Sequence, residues 1–174
     1  MFLNQKRTGV IKGRGVAKGW PQRANSKKGE STSPTVSTES ALITCCIDAM
    51  EGRNVSVADI PGAFLTADMD EGMYMVLEGP LAEMMVKVSP GTYEKYLHTT
   101  KKRKKLLYVK LNKALYGFLR SALLLYRKLK KELTDDGFII NAYDSCVANK
   151  LVEGTQVTVT WHVDNLKISH VNSD

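Results

Sequence analysis

The 174-residue sequence is poor in the residues that build covalently bridged or metal-held folds, because it has only three cysteines and three histidines. An odd number of cysteines with no C-x-x-C spacing argues against a disulfide framework and against a zinc site. Cys45 and Cys46 lie in an apolar periodic stretch, which predicts thiols packed in the core and a reducing, intracellular compartment. Neither a run of 18 apolar residues nor a signal-peptide h-region is found, so neither a membrane span nor secretion is indicated.

Basic residues are in surplus. The chain has 25 Lys and Arg against 18 Asp and Glu, a formal charge of +7. This surplus favours a polyanionic partner, since neutralising phosphates releases counterions. On charge alone, a basic surface that serves only solubility is an equal alternative. The length and the 43% of hydrophobic residues predict one folded domain, or one domain with a small annex.

Regular structure is predicted after residue 36. Ser37 has the character of an N-cap, and Gly52 supplies a stop. A second helix is predicted over residues 121–136, with Gly137 after it. Apolar residues at helical spacing should form the buried stripes, namely Ala41, Leu42, Cys45, Cys46 and Ala49 in the first helix and Leu125, Leu129 and Leu133 in the second. Strands are predicted at 55–59, 73–77, 106–111, 145–152 and 155–163, a short ribbon within 10–20, and either state at 81–86. Together these elements predict an α+β fold.

The last predicted strand alternates apolar and polar side chains. Trp161 should point toward a core, and His162 and Asp164 should point away from it. We expect Asp164 and Asn165 at a hairpin tip, because Leu166 resumes the alternation and Asn and Asp tolerate positive φ. Asp59 ends an earlier strand. Two carboxylates on the polar face of a sheet are what two-metal phosphoryl chemistry requires, although an aspartate in such places is more commonly turn chemistry.

Four segments, in the same order, resemble motifs of the copia-type retrotransposon reverse transcriptases. Residues 13–22, G-R-G-V-A-K-G-W-P-Q, are similar to the fingers segment K-A-R-L-V-A-K-G-F-x-Q. Residues 57–65, V-A-D-I-P-G-A-F-L, resemble D-V-K-N-A-F-L, which carries the first catalytic aspartate. Residues 111–122, L-N-K-A-L-Y-G-F-L-R-S-A, resemble L-K-K-A-L-Y-G-L-K-Q-S-P. Residues 161–169, W-H-V-D-N-L-K-I-S, resemble the hairpin Y-V-D-D-L-L-I. The resemblance covers nearly the whole chain.

The resemblance implies roles for individual residues. Asp59 and Asp164 would bind Mg²⁺ or Mn²⁺, and the backbone carbonyl of Ile60 would add an oxygen. Phe64 would stack under the incoming sugar and exclude a 2′-hydroxyl; from the residues alone, a core phenylalanine is the better explanation. The implied nucleotide contacts are Arg14, Lys18 and Arg120, the last of which stands where the family has glutamine. A solvated basic loop is the alternative for Arg14 and Lys18.

Two features of the chain bear on its activity. Asn165 occupies the position of the hairpin's second aspartate, and an amide offers a weak oxygen ligand without charge. We therefore expect weakened metal binding and little polymerisation. A basic run lies where the family is variable, so nucleic-acid contact and a solvated loop both stay open. The run consists of Lys101, Lys102, Arg103, Lys104 and Lys105.

The implied architecture is a reverse-transcriptase palm, an antiparallel sheet with packed helices, together with partial fingers. A fingers-like segment would cover residues 1–36 and a palm-like domain residues 37–174, with the strand ending at Asp59 beside strand 155–163. We expect no thumb and a domain truncated at its C-terminus. The family's setting is cytoplasmic, in virus-like particles.

Two functions follow from this resemblance. One is an RNA-directed DNA polymerase acting on an RNA template, a DNA primer and deoxynucleoside triphosphates. The other is a catalytically dead relic that binds nucleic acid. A third class, an RRM-like module, requires a K/R-G-F/Y-G/A-F-V-x-F/Y pattern, which the sequence lacks.

Overall fold

A computed structural model describes residues 2–19, 32–70 and 72–172. The chain divides into unit 1, Met1–Ala67 with Ala114–Asp174, and unit 2, Asp68–Lys113. Both units combine helices with antiparallel strands, which confirms the predicted α+β class. The prediction of one continuous segment over 37–174 did not anticipate that residues 68–113 form a unit of their own. The predicted boundary after residue 36 stays a prediction.

The helices are α1 (Thr38–Glu51), α2 (Ala63–Thr66), α3 (Pro80–Val88), α4 (Pro90–Tyr93) and α5 (Ser121–Asp135). The strands are β1 (Phe2–Gln5), β2 (Ile11–Arg14), β3 (Asn54–Asp59), β4 (Tyr74–Glu78), β5 (Leu97–Thr99), β6 (Lys105–Lys110), β7 (Ile139–Ile140), β8 (Val147–Val152), β9 (Thr155–His162) and β10 (Asn165–His170). None of the helices in the described residues is long and apolar enough to cross a membrane.

Unit 1 is built on a five-stranded antiparallel sheet in the order β3-β10-β9-β8-β7. Glu153 and Gly154 join β8 to β9, and both have positive φ, as a two-residue type I′ turn requires. A separate two-stranded ribbon pairs β1 with β2. The ribbon predicted within residues 10–20 is therefore formed by two segments, and the first of them, β1, was not predicted.

Helix α5 covers one face of the five-stranded sheet and forms the main core. Alternate residues of β8 and β9 supply apolar side chains, and Trp161 is only 1% exposed. Leu129 is buried among them, and Leu133 packs at the edge of the same cluster. Full burial of such a side chain contributes about 1.5–3 kcal/mol. The predicted leucine stripe of this helix is thus confirmed.

Helix α1 has the predicted ends but a different buried face. Its first turn is capped by the hydroxyl of Ser37, which accepts the N–H of Ser40 at 3.1 Å, and Gly52 ends it with a φ of 63°. The buried residues are Thr44 and Asp48, whereas Leu42 is 62% exposed. The predicted apolar stripe therefore does not face the sheet.

The sheet face under α1 explains this difference, because its side chains from β9 and β10 are polar. We call them the polar row, and they are Thr158, Thr160, Lys167 and Ser169. Lys167 pairs with Asp48 at 2.5 Å and donates to the hydroxyl of Thr44 at 3.1 Å. Burial raises the pKa of Asp48, but hydrogen bonds from Lys167 and Ser169 outweigh it, so the pKa lies below its usual value. An apolar helix face here would leave the half-buried Lys167 ammonium unpaired, which is unfavourable.

The three cysteines are likewise divided between the exposed side of α1 and the core under α5. Cys45 and Cys46 are exposed, so the prediction that they pack in the core is wrong. Cys146 is fully buried against α5, and burial raises the pKa of its thiol to about 11. Next to it, the buried Asp144 carboxylate accepts the backbone N–H groups of Ser37 and Cys146, each at 2.9 Å. This carboxylate ties the start of α1 to the start of β8.

Unit 2 contains a three-stranded antiparallel sheet in the order β4-β6-β5. Leu77, Leu107 and Ala82 form its buried core, with Ala82 supplied by α3. The stretch 81–86, which the sequence left undecided, lies in this helix. Pro80 favours a helix start, since proline lacks only an N–H that the first turn leaves free in any case.

Candidate active site

The β9–β10 hairpin and the end of β3 bring three of the predicted site residues together. Asn165 lies directly opposite Asp59 on one side and His162 on the other. The backbone N–H of Ile60 donates to the carbonyl oxygen of Asp164 at 3.0 Å. Asp59, Asp164 and Asn165 therefore share one end of the unit 1 sheet.

The neighbour of β3 is β10, so the prediction that the Asp59 strand lies beside strand 155–163 is wrong. Strand β10 pairs with β9 on one side and with β3 on the other. The returning strand of the hairpin thus occupies the position next to Asp59. This order sets Asn165 opposite Asp59 and leaves Asp164 just beyond the paired residues.

Val163 and Asp164 form the hairpin turn, whereas Asp164 and Asn165 were predicted to form it. Strand β9 ends at His162 and β10 begins at Asn165. Val163 has a φ of 59°, a region that strains a β-branched residue by roughly 1–3 kcal/mol. Positive φ at the first turn position alone is typical of a type II′ turn. The strained backbone fixes where Asp164 emerges from the sheet.

The oxygen donors at this end of the sheet are few. The Asn165 amide Nδ2 donates to Asp164 Oδ1 at 3.3 Å, and the Ile60 carbonyl accepts the Ala63 N–H at 3.1 Å. Within the described part of the chain, no group of three or more His, Cys, Asp or Glu could hold a metal ion. Two carboxylates, one amide oxygen and a backbone carbonyl are the donor types that Mg²⁺ takes, with one negative charge fewer than three carboxylates give.

Phe64 lies on α2, one helical turn beyond β3. It is half-buried, and its ring meets that of Tyr116 edge to face, with 4.6 Å between centroids and an interplanar angle of 82°. Such a pair contributes about 0.5–1.5 kcal/mol beyond the buried area. Tyr116 thus fixes the ring of Phe64. Whether Phe64 contacts a nucleotide stays a prediction.

Two backbone segments cross closely beside Tyr116. The N–H of Ala17 donates to the Tyr116 carbonyl at 2.8 Å. A Cβ atom on Gly19 would lie 2.0 Å from the carbonyl oxygen of Gly117, and one on Gly117 would lie 2.1 Å from that of Ala17. Only glycine permits this approach. Lys18, which is exposed, lies between the two residues of this crossing, Ala17 and Gly19.

Comparison with known proteins gives one result. A family model described as "Reverse transcriptase (RNA-dependent DNA polymerase)" matches residues 3–174. The chain belongs to this reverse transcriptase family. Searches of curated proteins and of solved structures found no match. Membership implies a nucleic-acid template and nucleotide substrates for this reverse transcriptase domain.

Two further predicted nucleotide contacts occupy different settings in the reverse transcriptase domain. Arg120 is half-buried and is the N-cap residue of α5. The backbone of Arg14 lies in β2, opposite Phe2, while its side chain lies outside the described residues. Next to Arg120, the buried hydroxyl of Ser121 donates to the Leu115 carbonyl at 2.7 Å and tightens the loop that carries Tyr116.

Sequence reasoning did not identify Tyr116, Gly117, Gly19 or Ser121 as parts of this region. Three of them lie in the quoted segment 111–122, and Gly19 lies in segment 13–22, so the motifs contained the signal. The motifs did not show which segments contact each other, because the Ala17–Tyr116 hydrogen bond joins residues far apart in the chain. These residues hold the candidate site in shape.

The basic run of the reverse transcriptase domain forms a hairpin loop between β5 and β6 in unit 2. The N–H of Arg103 donates to the Thr100 carbonyl at 2.8 Å, and the N–H of Thr100 donates to the Lys104 carbonyl at 2.9 Å. Lys104 pairs with Glu78, and Lys105 donates to the Thr99 hydroxyl at 3.1 Å. Lys101, Lys102 and Arg103 are exposed.

Proposed function

We propose that this reverse transcriptase domain is the fingers-and-palm region of a copia-type RNA-directed DNA polymerase, with Asp59 and Asp164 as metal ligands. The observation that carries the proposal is the pairing of Asp59 with Asn165, next to the hydrogen bond from Ile60 to Asp164. It brings both aspartates to one end of one sheet from opposite halves of the chain. The four motifs resembling the copia type support the finer assignment.

The donor set at this end of the sheet suits a hard divalent cation. Asp59, Asp164 and the Ile60 carbonyl would hold Mg²⁺ or Mn²⁺, with the Asn165 amide oxygen as a weaker ligand. Bound ions of this kind help activate the primer 3′-hydroxyl and balance the charge of the triphosphate. With one carboxylate missing, we expect weak metal binding and weak polymerisation.

The other residues position the substrates. Phe64, held edge to face by Tyr116, provides a fixed surface under the sugar and leaves no room for a 2′-hydroxyl, which selects deoxynucleoside triphosphates. Lys18 and Arg14 contribute charge-assisted contacts to the triphosphate, and Arg120 contributes to the nucleotide site. An RNA template and a DNA primer complete the substrate set.

A relic that binds nucleic acid without polymerising it is the second candidate, and Asn165 favours it. The Asn165 amide donates to an oxygen of Asp164 that a metal would use. Phosphate binding relies instead on the charge of +7 and on exposed cations such as Lys101 and Lys102. It needs no carboxylate at position 165.

Primer extension separates the two candidates. The full chain and its Asn165→Asp variant are compared on a primed RNA template with Mg²⁺ and with Mn²⁺. We expect the unaltered chain near background and the variant about tenfold or more faster, because the restored carboxylate strengthens metal binding. Asn165→Ala is the matched control, and Asp164→Asn in the Asn165→Asp background should abolish the gain.

Three results would count against these assignments. Strong extension by the unaltered chain would show that an amide at position 165 suffices. Extension that survives Asp164→Asn would remove Asp164 from the metal site. No gain with Asn165→Asp in a folded variant would favour the relic.

A further inference from the structure

The three-stranded sheet of unit 2 has one covered face and one open face. Leu77 and Leu107 point into the core with α3. The alternate residues point outward, and Tyr74 is 59% exposed, Val76 43% and Tyr108 54%. We call this outward row the open face, and it is formed by Tyr74, Val76, Glu78, His98, Leu106, Tyr108 and Lys110.

The two tyrosines of the open face lie on adjacent strands. Tyr108 is opposite Val76, and Tyr74 is opposite Lys110, so the two tyrosines are diagonal neighbours, about 7–8 Å apart. The His98 ring meets Tyr108 in an edge-on contact at 6.2 Å between centroids. Exposed aromatic rings on a flat sheet are the surface on which successive bases of a single strand stack, because every base has a π-face.

Positive charge lies at both ends of the strand that carries Tyr108. The loop with Lys101, Lys102 and Arg103 precedes β6, and Lys110 ends it. In the described part of the chain no ion pair holds these three loop residues, whereas Lys104 neutralises Glu78. The aromatic rings can stack on bases, and the cations on either side of them can bind the phosphates that join those bases.

We propose that the open face of unit 2 binds single-stranded nucleic acid, with bases stacked on Tyr108 and Tyr74 and phosphates held by Lys101, Lys102, Arg103 and Lys110. The inference deepens the proposed function, on which it rests for the presence of a single-stranded template. An apolar protein partner is disfavoured, since the cations of the loop would be desolvated without a counter-charge.

Fluorescence anisotropy with the full chain tests the inference. The probe is a labelled oligouridylate of about 16 nucleotides, the upper site size of comparable sheet surfaces. The double variant Tyr74→Leu with Tyr108→Leu should lower the affinity about 25-fold, because each lost stacking contact should lower it about fivefold. The salt dependence of binding should stay unchanged. Tyr143→Leu is the matched control, because Tyr143 in unit 1 is fully exposed; it should change affinity less than about twofold.

A Tyr108→Trp variant gives a direct readout that does not depend on the double substitution folding. The unaltered chain, which already contains Trp20 and Trp161, is the control. The unlabelled oligouridylate should quench the variant saturably and more than it quenches the unaltered chain, with affinity equal to or tighter than that of the unaltered chain. If the variant is quenched no more than the unaltered chain at saturating oligonucleotide, stacking on position 108 is overturned.

The outcomes also separate this inference from the proposed function. If the double variant binds as tightly as the unaltered chain, the open face is not the site, while Asn165→Asp extension still tests the polymerase independently. If the unaltered chain binds no nucleic acid even at low salt, both fail. If the double substitution instead turns a dimer into a monomer in light scattering, a second copy covers the face and the inference is overturned.

Discussion

Asn165 differs from an aspartate in having an uncharged amide in place of a carboxylate, and this changes the charge at the candidate site. Its amide nitrogen donates to Asp164 at 3.3 Å, so the pair is favourable without a cation. An aspartate at this position would bring two negative charges together, and only a bound cation would make that arrangement favourable. The hydrogen bond stabilises the hairpin without a cation. The Asn165→Asp comparison measures what the proposed metal site gains from a carboxylate at this position.

Gly19 and Gly117 give the sharpest prediction for single residues. Gly117→Ala and Gly19→Ala should each lower the free energy of unfolding by about 2 kcal/mol or more, because the new Cβ would meet backbone oxygen near 2 Å. Gly117 adds strain through its φ of 91°. Urea unfolding measures the change. Gly15→Ala is the control, since nothing lies within 4 Å of its Cβ position. Equal stability of the Gly15→Ala and Gly117→Ala variants would refute the close crossing.

Helix α1 shows that an apolar stripe does not by itself decide which face of an element is buried. The polar row of β9 and β10 selects Thr44 and Asp48 as its partners, and the apolar stripe with Cys45 and Cys46 is left exposed. Strand alternation produced that polar row, so the orientation of the helix follows from the sheet and not from its own sequence.

Thiol labelling tests the orientation of α1. In the native protein Cys45 and Cys46 should react with iodoacetamide, whereas Cys146 should stay unmodified, because it is buried and its pKa is raised to about 11. Mass spectrometry should find two labels in native buffer and three in urea. Cys146→Ala is the control and should leave two labels in both. Native labelling of Cys146 alone would show that Cys146 is accessible and that Cys45 and Cys46 are buried.

Asp144 links two elements and makes stability depend on pH. Burial raises the pKa of its carboxyl, but the N–H groups of Ser37 and Cys146 outweigh burial, so the pKa lies below its usual value. A depressed pKa stabilises the folded state fully above the unfolded pKa of about 3.9, and this stabilisation is lost as the pH falls below that value.

Asp144→Asn should therefore lower the free energy of unfolding by about 2 kcal/mol at pH 7 and flatten its decline in acid. Urea unfolding at several pH values between about 7 and 3 measures both effects. Asp135→Asn, which changes an exposed carboxylate paired with Lys131, should lower it by less than about 1 kcal/mol. An unchanged acid decline in Asp144→Asn would show that other carboxylates control it.

The whole molecule combines two units with a net charge of +7. Asp59 and Asp164 belong to unit 1 and the basic hairpin loop to unit 2, so the proposed catalytic role and part of the proposed electrostatic attraction fall to different units. Each unit has its own buried core. We therefore expect substitutions in the loop to change nucleic-acid binding without changing the proposed metal site.

Salt dependence of hybrid binding tests this division. Neutralising Lys101, Lys102 and Arg103 to glutamine should reduce the slope of log affinity against log salt by about 0.9 for each phosphate that the loop no longer neutralises. Anisotropy with a labelled RNA–DNA hybrid measures the slope at several salt concentrations. Lys104→Gln is the matched control and should change the slope less, because Lys104 already pairs with Glu78. Salt-independent binding would reject the electrostatic interface.

Local sequence determined the elements whose signals are local. Ser37 and Gly52 mark the ends of α1, and the leucines of α5 mark its buried stripe. The turn at Glu153 and Gly154 and the strand ending at Asp59 were predictable for the same reason. Caps, turns and periodicity act within a few residues, so one stretch of sequence contains the whole cause.

Tertiary structure decided everything that depends on which distant segment becomes a neighbour. Strand β10 separates β3 from β9, and the polar row of the sheet orients α1. Tyr74 and Tyr108 share one face only because β4 pairs with β6 in this register. Shifting that register by one residue would move every side chain of the strand to the other face. The free energy of the whole sheet and of the helices packed on it decides these arrangements, so the sequence of one segment alone does not determine them.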